Sequence, residues 1–217
     1  MKQHSFNYLV KTYLRKKLQL GLLFSLLFSI HSAFATDTIL FLGDSISAGY
    51  GMEQHEGWVP LLNRQLKDKK APYKILNASI SGETTSGGLS RLPALLDQNK
   101  VNYLFIELGG NDGLRGYNPK KIKNNLLQMI ELAKQKELIV FLMHINITPN
   151  YGPRYNQMFE QVFIDVAKQE NITLVPFFMN DIALKKELMQ DDGIHPNKSA
   201  QPFIADIVEK QLTQLIP

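Results

Sequence analysis

The chain contains no cysteine among its 217 residues. Without cysteine it forms no disulfide bond and has neither a thiol nucleophile nor a thiolate metal ligand. A lipid-anchored lipoprotein is excluded as well, because the lipid would be attached to a cysteine. The stability and the chemistry of this chain must therefore come from an apolar core and from oxygen- and nitrogen-bearing side chains.

Long apolar runs are scarce, and the one that stands out extends from Leu18 to Ile30. It is shorter than the roughly 20 residues that cross a bilayer as a helix. Five basic residues and no acidic residue precede it, and Ala33-Phe34-Ala35 follows it. These three features together are typical of a secretory signal peptide. We therefore expect residues 1–35 to be cleaved after Ala35, and the protein to be periplasmic or secreted.

Neither sign of charge is in excess once this leader is set aside. The whole chain has 24 Lys and Arg against 20 Asp and Glu, but the leader holds five of the basic residues, which leaves 19 against 20. A near-neutral chain gives no reason to expect a nucleic-acid partner. The remaining 182 residues suit one domain, 36–217. We take a monomer as the default, with at most transient contact with a membrane surface.

Short apolar runs alternate with longer amphipathic ones along residues 36–217. The short runs are rich in β-branched and aromatic residues and nearly continuous in hydrophobicity, as strands buried on both faces are. Strict alternation of strand and helix predicts an α/β fold, with a parallel sheet covered on both faces. The predicted strands are Thr38–Leu42, Tyr73–Ala78, Tyr103–Leu108, Leu138–His144 and Ile172–Val175. The predicted helices are Trp58–Lys69, Thr85–Gln98, Pro119–Lys136, Arg154–Gln169 and Asn197–Leu215.

Polar residues and glycines follow the first three predicted strands. Ser45 follows the first strand, Gly82 lies in the loop after the second, and Asn111 follows the third. Ligands of parallel α/β sheets bind beyond the carboxyl ends of the strands. We therefore expect these three residues to meet at one edge of the sheet.

The segment from Asp191 to Pro196 supplies the remaining groups for serine chemistry. A serine hydroxyl needs a neighbouring base, for which His195 is suited, and the base needs a carboxylate to hold its tautomer. The three-residue spacing of Asp192 and His195 allows them to pair within one tight turn, and it favours Asp192 over Asp191. The oxyanion donors would be the backbone N–H of Ser45, the N–H of Gly82 and the side-chain amide of Asn111.

Other residues near these segments have competing interpretations. His144 and His55 are the rival bases, and Ser47 is a second hydroxyl that we expect to be structural. We expect Asp44 to brace its turn through hydrogen bonds, although a supporting role beside the reacting groups stays open. Trp58 is expected in the core rather than in contact with substrate.

Three other functional classes are disfavoured. A two-metal phosphoesterase needs several histidines beside its carboxylates, whereas residues 36–217 contain three histidines and no His-x-His or Asp-x-His pair. A phosphate-binding module would leave Ser45 and His195 unexplained, although Ser81–Gly88 superficially resembles a phosphate-binding loop. An α/β-hydrolase has Gly-x-Ser-x-Gly around its nucleophile, and no serine here has both glycines.

The four blocks together resemble the SGNH, or GDSL, hydrolase superfamily. The matching blocks are Gly43-Asp44-Ser45-Ile46, Gly82, Gly110-Asn111-Asp112 and Asp192-Gly193-Ile194-His195-Pro196. The segments Leu108–Gly116 and Asn150–Tyr155 are similar to the bacterial periplasmic thioesterase I, lysophospholipase L1 and arylesterase group. The resemblance spans essentially all of residues 36–217.

This resemblance implies a flavodoxin-like three-layer α/β/α fold with a five-stranded parallel sheet, and no metal or organic cofactor. It implies a catalytic triad of Ser45, Asp192 and His195, with Ser45, Gly82 and Asn111 lining the oxyanion hole. The segment 145–151 resembles a loop that covers the acyl chain, which makes Ile147 a candidate substrate contact. The expected activity is hydrolysis of small acyl esters, thioesters or lysophospholipids. A glycan O-acetyl esterase of the same superfamily is the alternative.

Overall fold

The computed structural model describes residues 36–147 and 151–216. The expected leader, residues 1–35, therefore lies outside the described residues, as do residues 148–150 of the loop that follows the fourth strand. The compact unit begins at Thr36.

A five-stranded parallel sheet forms the centre of the molecule, as the sequence predicted. The strands are β1 (Asp37–Gly43), β2 (Tyr73–Asn77), β3 (Tyr103–Glu107), β4 (Ile139–His144) and β5 (Thr173–Pro176). The strand order is β2-β1-β3-β4-β5, and all four neighbouring pairs are parallel.

Seven α-helices lie among the described residues. They are α1 (Ser45–Ala48), α2 (Trp58–Asp68), α3 (Thr85–Gln98), α4 (Gly110–Leu114), α5 (Pro119–Gln135), α6 (Pro153–Glu170) and α7 (Gln201–Leu215). Helix α2 packs against α7, whereas α5 packs against both α3 and α6. Right-handed crossovers place these two groups on opposite faces of the sheet, which gives three layers.

The predicted elements agree with the structure except at their ends. Each predicted strand is displaced by one residue at one or both ends. The last helix begins at Gln201 instead of Asn197, because a short 3₁₀ turn at Lys198–Ala200 precedes it and Asn197 accepts a hydrogen bond from the Ser199 N–H. Helices α1 and α4 were not predicted, since four or five residues are too few to show a helical periodicity.

Aromatic side chains fill the core between the sheet and its helices. Trp58 is fully buried and packs edge-on against Phe41 at a centroid distance of 5.0 Å. Phe41 in turn stacks on Phe105 at 4.8 Å, and Phe178 lies 5.6 Å from Trp58. Trp58 is therefore a core residue, as the sequence predicted.

The strand order locates the place where ligands bind in this type of sheet. β1 and β3 are neighbours, and the chain leaves their carboxyl ends towards opposite faces, which opens a crevice between them. Ser45 follows β1 and Gly110 follows β3 after a few residues each. No helix within residues 36–147 and 151–216 is long and apolar enough to cross a membrane.

Candidate active site

Ser45 is the first residue of helix α1, directly beyond β1. The preceding Asp44 caps this helix, because its Oδ1 accepts a hydrogen bond of 3.1 Å from the Ile46 N–H. The side chain of Ser47 points elsewhere and donates a hydrogen bond of 2.7 Å to Glu107 Oε2. Ser45, only 8% exposed, is therefore the hydroxyl of this turn that faces the crevice.

Asp192 and His195 pair within a single turn of the C-terminal loop. Asp192 Oδ1 accepts hydrogen bonds from the backbone N–H groups of Ile194 (2.9 Å) and His195 (3.0 Å), and its Oδ2 lies 2.6 Å from His195 Nδ1. Burial raises the pKa of Asp192, but these hydrogen bonds outweigh it and lower the pKa to about 2. The carboxylate is therefore ionised at neutral pH, and it holds the proton of His195 on Nδ1.

The other imidazole nitrogen reaches the serine, 150 residues away in sequence. His195 Nε2 lies 2.8 Å from Ser45 Oγ, so Ser45, His195 and Asp192 form one continuous hydrogen-bonded chain. The ring of Tyr50 packs on the imidazole at a centroid distance of 4.4 Å. Asp191 is exposed, and the hydrogen bonds to His195 come from Asp192 and not from Asp191. Asp192 is thus the carboxylate in contact with His195.

The side-chain amide of Asn111 also reaches this crevice. Asn111 lies in α4 and its Nδ2 donates a hydrogen bond of 3.2 Å to Asp44 Oδ2. An ionised carboxylate only accepts hydrogen bonds, so Asp44 turns the NH₂ group, rather than the carbonyl oxygen, towards the turn that carries Ser45. Burial raises the pKa of Asp44 to about 6, against the opposing effects of the Ile46 N–H, His195 and Asn111.

Gly82 lies in the loop after β2, which is hydrogen-bonded to the segment that carries Ser45. The N–H of Ile80 donates to the carbonyl of Gly43, the residue before Asp44. Gly82 has φ of +78°, a backbone conformation that favours glycine. Its carbonyl accepts a hydrogen bond of 3.2 Å from Arg115, so the carbonyl is directed outward to the guanidinium.

A largely apolar cavity of about 230 Å³ opens beside Ser45. Ile147 lies on its wall, packed so close to α4 that a side chain at Gly113 would contact it within 2.9 Å. Ser45 and His195 both line this cavity. Its other apolar walls include Ile46, Leu114, Ile145, Phe177 and Met179.

The two rival histidines lie outside this arrangement. His144, at the end of β4, packs against Phe163, and His55 is exposed near the start of α2. Within the described parts of the chain, no group of three or more His, Asp or Glu side chains is arranged to hold a metal ion.

Two residues of this site were missed in the sequence analysis. Glu107 ends β3 and is buried beside Asp44; an ionisable residue at the end of the apolar run from Tyr103 was the signal that could have revealed it. Tyr50 had no such signal, because its packing on His195 depends on a contact between residues far apart in sequence.

Comparison with protein families gives one clear match. The model of the GDSL-like Lipase/Acylhydrolase family matches residues 41–201. This range includes every residue of the site described above.

Individual proteins are similar over most of the chain. Thioesterase 1/protease 1/lysophospholipase L1 of Escherichia coli (strain K12) is 47% identical over 197 residues, covering 91% of this chain and 93% of the relative. Esterase TesA of Pseudomonas aeruginosa is 47% identical over 182 residues, covering 84% and 90%. The arylesterase of Vibrio mimicus is 45% identical over 180 residues, covering 83% and 90%.

Solved structures are similar as well. The psychrotrophic esterase EstA from Pseudoalteromonas sp., in a structure inhibited by monoethylphosphonate, has a TM-score of 0.82 at 46% identity, covering 83% of this chain and 98% of that one. The structure of TesA has a TM-score of 0.78 at 47% identity, covering 83% and 100%.

Proposed function

The chain belongs to the GDSL-like lipase/acylhydrolase family and is an esterase, and we propose that it cleaves acyl esters and thioesters through a covalent intermediate on Ser45. One observation carries this proposal: the continuous chain of hydrogen bonds from Asp192 through His195 to Ser45. A serine hydroxyl becomes a nucleophile when an oriented base takes its proton. The apolar cavity beside Ser45 supplies the place for an acyl group.

In the proposed reaction, Ser45 Oγ attacks the acyl carbonyl while His195 Nε2 takes the hydroxyl proton. Asp192 stabilises the imidazolium that forms, and the carbonyl oxygen carries the negative charge. The intermediate collapses, and His195 returns the proton to the departing alcohol or thiol. Water then attacks the acyl-serine with His195 as the base, releasing the carboxylic acid and restoring Ser45.

We assign the oxyanion hole to the backbone N–H groups of Ser45 and Gly82 and to the amide of Asn111. The hydrogen bond from Asn111 to Asp44 supports this assignment, because it directs the NH₂ group towards the turn that carries Ser45.

Replacing Asn111 with alanine is expected to lower kcat by about 10²- to 10³-fold, the usual effect of removing one such donor. Because the donor acts on the charge of the transition state, KM should change much less. A variant with unchanged kcat and a raised KM would contradict the assignment.

The cavity supports substrates with an apolar acyl chain. With p-nitrophenyl esters, kcat/KM is expected to rise by about two- to fourfold per added methylene until the cavity is full, since burying a methylene contributes roughly 0.8 kcal/mol.

Replacing Ile147 with alanine removes part of the cavity wall and should move the highest kcat/KM to bulkier acyl groups. A parallel series of acyl thioesters and lysophospholipids compares the leaving groups. Activity confined to acetyl esters would contradict this proposal and favour a glycan O-acetyl esterase.

We propose that the esterase acts outside the cytoplasm as a single domain of residues 36–217, with residues 1–35 removed. The basic stretch, apolar run and Ala33-Phe34-Ala35 site support this. Protein recovered from the exported fraction should have Thr36 as its N-terminal residue, and recovery of uncleaved cytoplasmic protein would contradict it.

A further inference from the structure

Two carboxyl groups are buried side by side beneath the nucleophile. Asp44 is 4% exposed and Glu107 is 1% exposed, and the Asp44 N–H donates a hydrogen bond of 3.3 Å to Glu107 Oε2. No lysine or arginine of the described residues forms an ion pair with either one. Two adjacent buried carboxylates cannot both keep a charge without a cation, so the pair is expected to hold one proton.

The hydrogen bonds of the two groups are unequal. Asp44 accepts one bond on each oxygen, from the Ile46 N–H and from Asn111. Glu107 accepts both of its bonds on Oε2, from the Asp44 N–H and the Ser47 hydroxyl, while its Oε1 is buried with no hydrogen-bond partner among the described residues. Burying an unpaired hydroxyl costs less than burying an unpaired charge. The proton therefore belongs on Glu107 Oε1 and the negative charge on Asp44.

The two donors to Glu107 are the residues on either side of the turn that carries Ser45. Asp44 is the residue before the nucleophile, and Ser47 lies two residues after it. The space is tight: a side chain at Gly43 would collide with Glu107 Oε2 and come within 2.8 Å of Ser79 Oγ. One oxygen of Glu107 therefore holds both ends of the nucleophile turn.

We propose that Glu107 is a positioning residue for Ser45 and that it acts as a neutral carboxylic acid. This inference rests on the proposed role of Ser45 as nucleophile. A neutral Glu107 leaves the negative charge on Asp44. The Asp44 carboxylate can then accept a hydrogen bond from the NH₂ group of Asn111 but cannot donate one, which fixes the orientation of Asn111. Burial and the neighbouring Asp44 both raise the pKa of Glu107 well above its usual range, in agreement with the geometry.

Two further titratable groups lie near this pair. The charge of Asp112 in α4 raises the pKa of Asp44, and His195 in the C-terminal loop lowers it. Asp112 is itself held by two hydrogen bonds from Thr85. Ionisation of Glu107 at alkaline pH would place a second negative charge against Asp44 and strain the turn. Wild-type kcat is therefore expected to decline at alkaline pH more steeply than that of a variant with no ionisable group at position 107.

Two variants separate shape from charge at this position. Glu107→Gln keeps an oxygen that accepts both hydrogen bonds, whereas Glu107→Leu keeps the volume and removes the acceptor. Glu107→Leu is expected to lower kcat by about 10- to 100-fold with little change in KM, because a small displacement of a reacting group lowers the rate by about this much. Glu107→Gln should keep most of the wild-type kcat, and its kcat should decline less at alkaline pH. Equal losses in both variants, or no loss in Glu107→Leu, would overturn the proposal.

Should Glu107→Leu fail to fold, Ser47→Ala gives the same information, because it removes one of the two bonds and leaves the core intact. It is expected to lower kcat by about tenfold with KM nearly unchanged. Thermal melting of each variant shows whether the remaining molecules are folded. An unchanged kcat in folded Ser47→Ala would count against the positioning role.

The protonation state has a readout that does not depend on activity. An infrared C=O stretching band of a buried protonated carboxyl group is expected at neutral pH in the wild type, and it should disappear in Glu107→Gln. A band that persists in Glu107→Gln, or that is absent from the wild type, would overturn the assignment of the proton to Glu107. Full activity of Ser45→Ala would instead contradict the proposed function and leave the infrared result unchanged, so the two failures are distinguishable.

Discussion

Replacing Ser45 with alanine is expected to lower kcat for p-nitrophenyl ester hydrolysis by about 10⁴- to 10⁶-fold, the range found when a triad nucleophile is removed. In the proposed mechanism the Ser45 hydroxyl forms the acyl-enzyme, and no other hydroxyl is hydrogen-bonded to His195 among the described residues. His195→Ala should have a loss of similar size, since the serine then has no base. Because the two residues act as one unit, the double variant should lose little more than either single variant.

Matched controls for these variants lie elsewhere in the chain. His144→Gln and His55→Ala remove the two rival bases, which contact neither Ser45 nor Asp192, and both should keep kcat near the wild-type value. A fluorophosphonate probe should label wild-type protein and fail to label Ser45→Ala, while thermal melting confirms that the variant is folded. Near-wild-type turnover in Ser45→Ala or His195→Ala would refute the mechanism.

Replacing Asp192 with asparagine is expected to lower kcat by about 10⁴-fold, as in triads where the carboxylate alone is neutralised. The variant keeps an Oδ1 that can accept the N–H groups of Ile194 and His195, so the turn should survive. The new NH₂ group, however, would face His195 Nδ1 and force it to accept a hydrogen bond. The proton would then lie on Nε2, facing Ser45, where a base is needed.

The neighbouring Asp191 provides the control for this experiment. Asp191→Asn makes the same chemical change one residue away, and it should leave kcat within about twofold of wild type, as surface substitutions away from such features usually do. Since the pKa of Asp192 is about 2, wild-type Asp192 is ionised throughout the range in which kcat is measured. The defect of Asp192→Asn should therefore persist from mildly acidic to alkaline pH. A larger loss in Asp191→Asn would transfer the role to that residue.

The elements of the fold were predictable because their signals are local. Buried parallel strands require nearly continuous apolar runs, and an amphipathic helix such as α5 repeats its apolar residues every three or four positions. All five of those positions in α5, Ile122, Leu126, Met129, Ile130 and Ala133, are buried. Helices α1 and α4 were not predicted, because they are too short to have an apolar periodicity. Hydrogen bonds to neighbouring segments hold their few residues in place.

The sequence by itself determined the class of chemistry. The spacing of Asp192 and His195 specifies a pair that one turn brings together, and that contact depends only on backbone geometry over three residues. The absence of cysteine excluded thiol chemistry without reference to any fold, and the near-neutral charge of residues 36–217 offered no reason to expect a polyanionic partner. These conclusions rest on covalent neighbours and composition, which folding does not alter.

Only the tertiary structure decided which groups meet across long separations and in what protonation state. Ser45 and His195 are 150 residues apart, and their contact depends on where the parallel sheet places its strand ends. The pairing of Asp44 with Glu107 likewise depends on β1 lying next to β3. Burial then decides the charge of that pair, because the cost of ionising a carboxyl group is a property of its surroundings and not of its residue type.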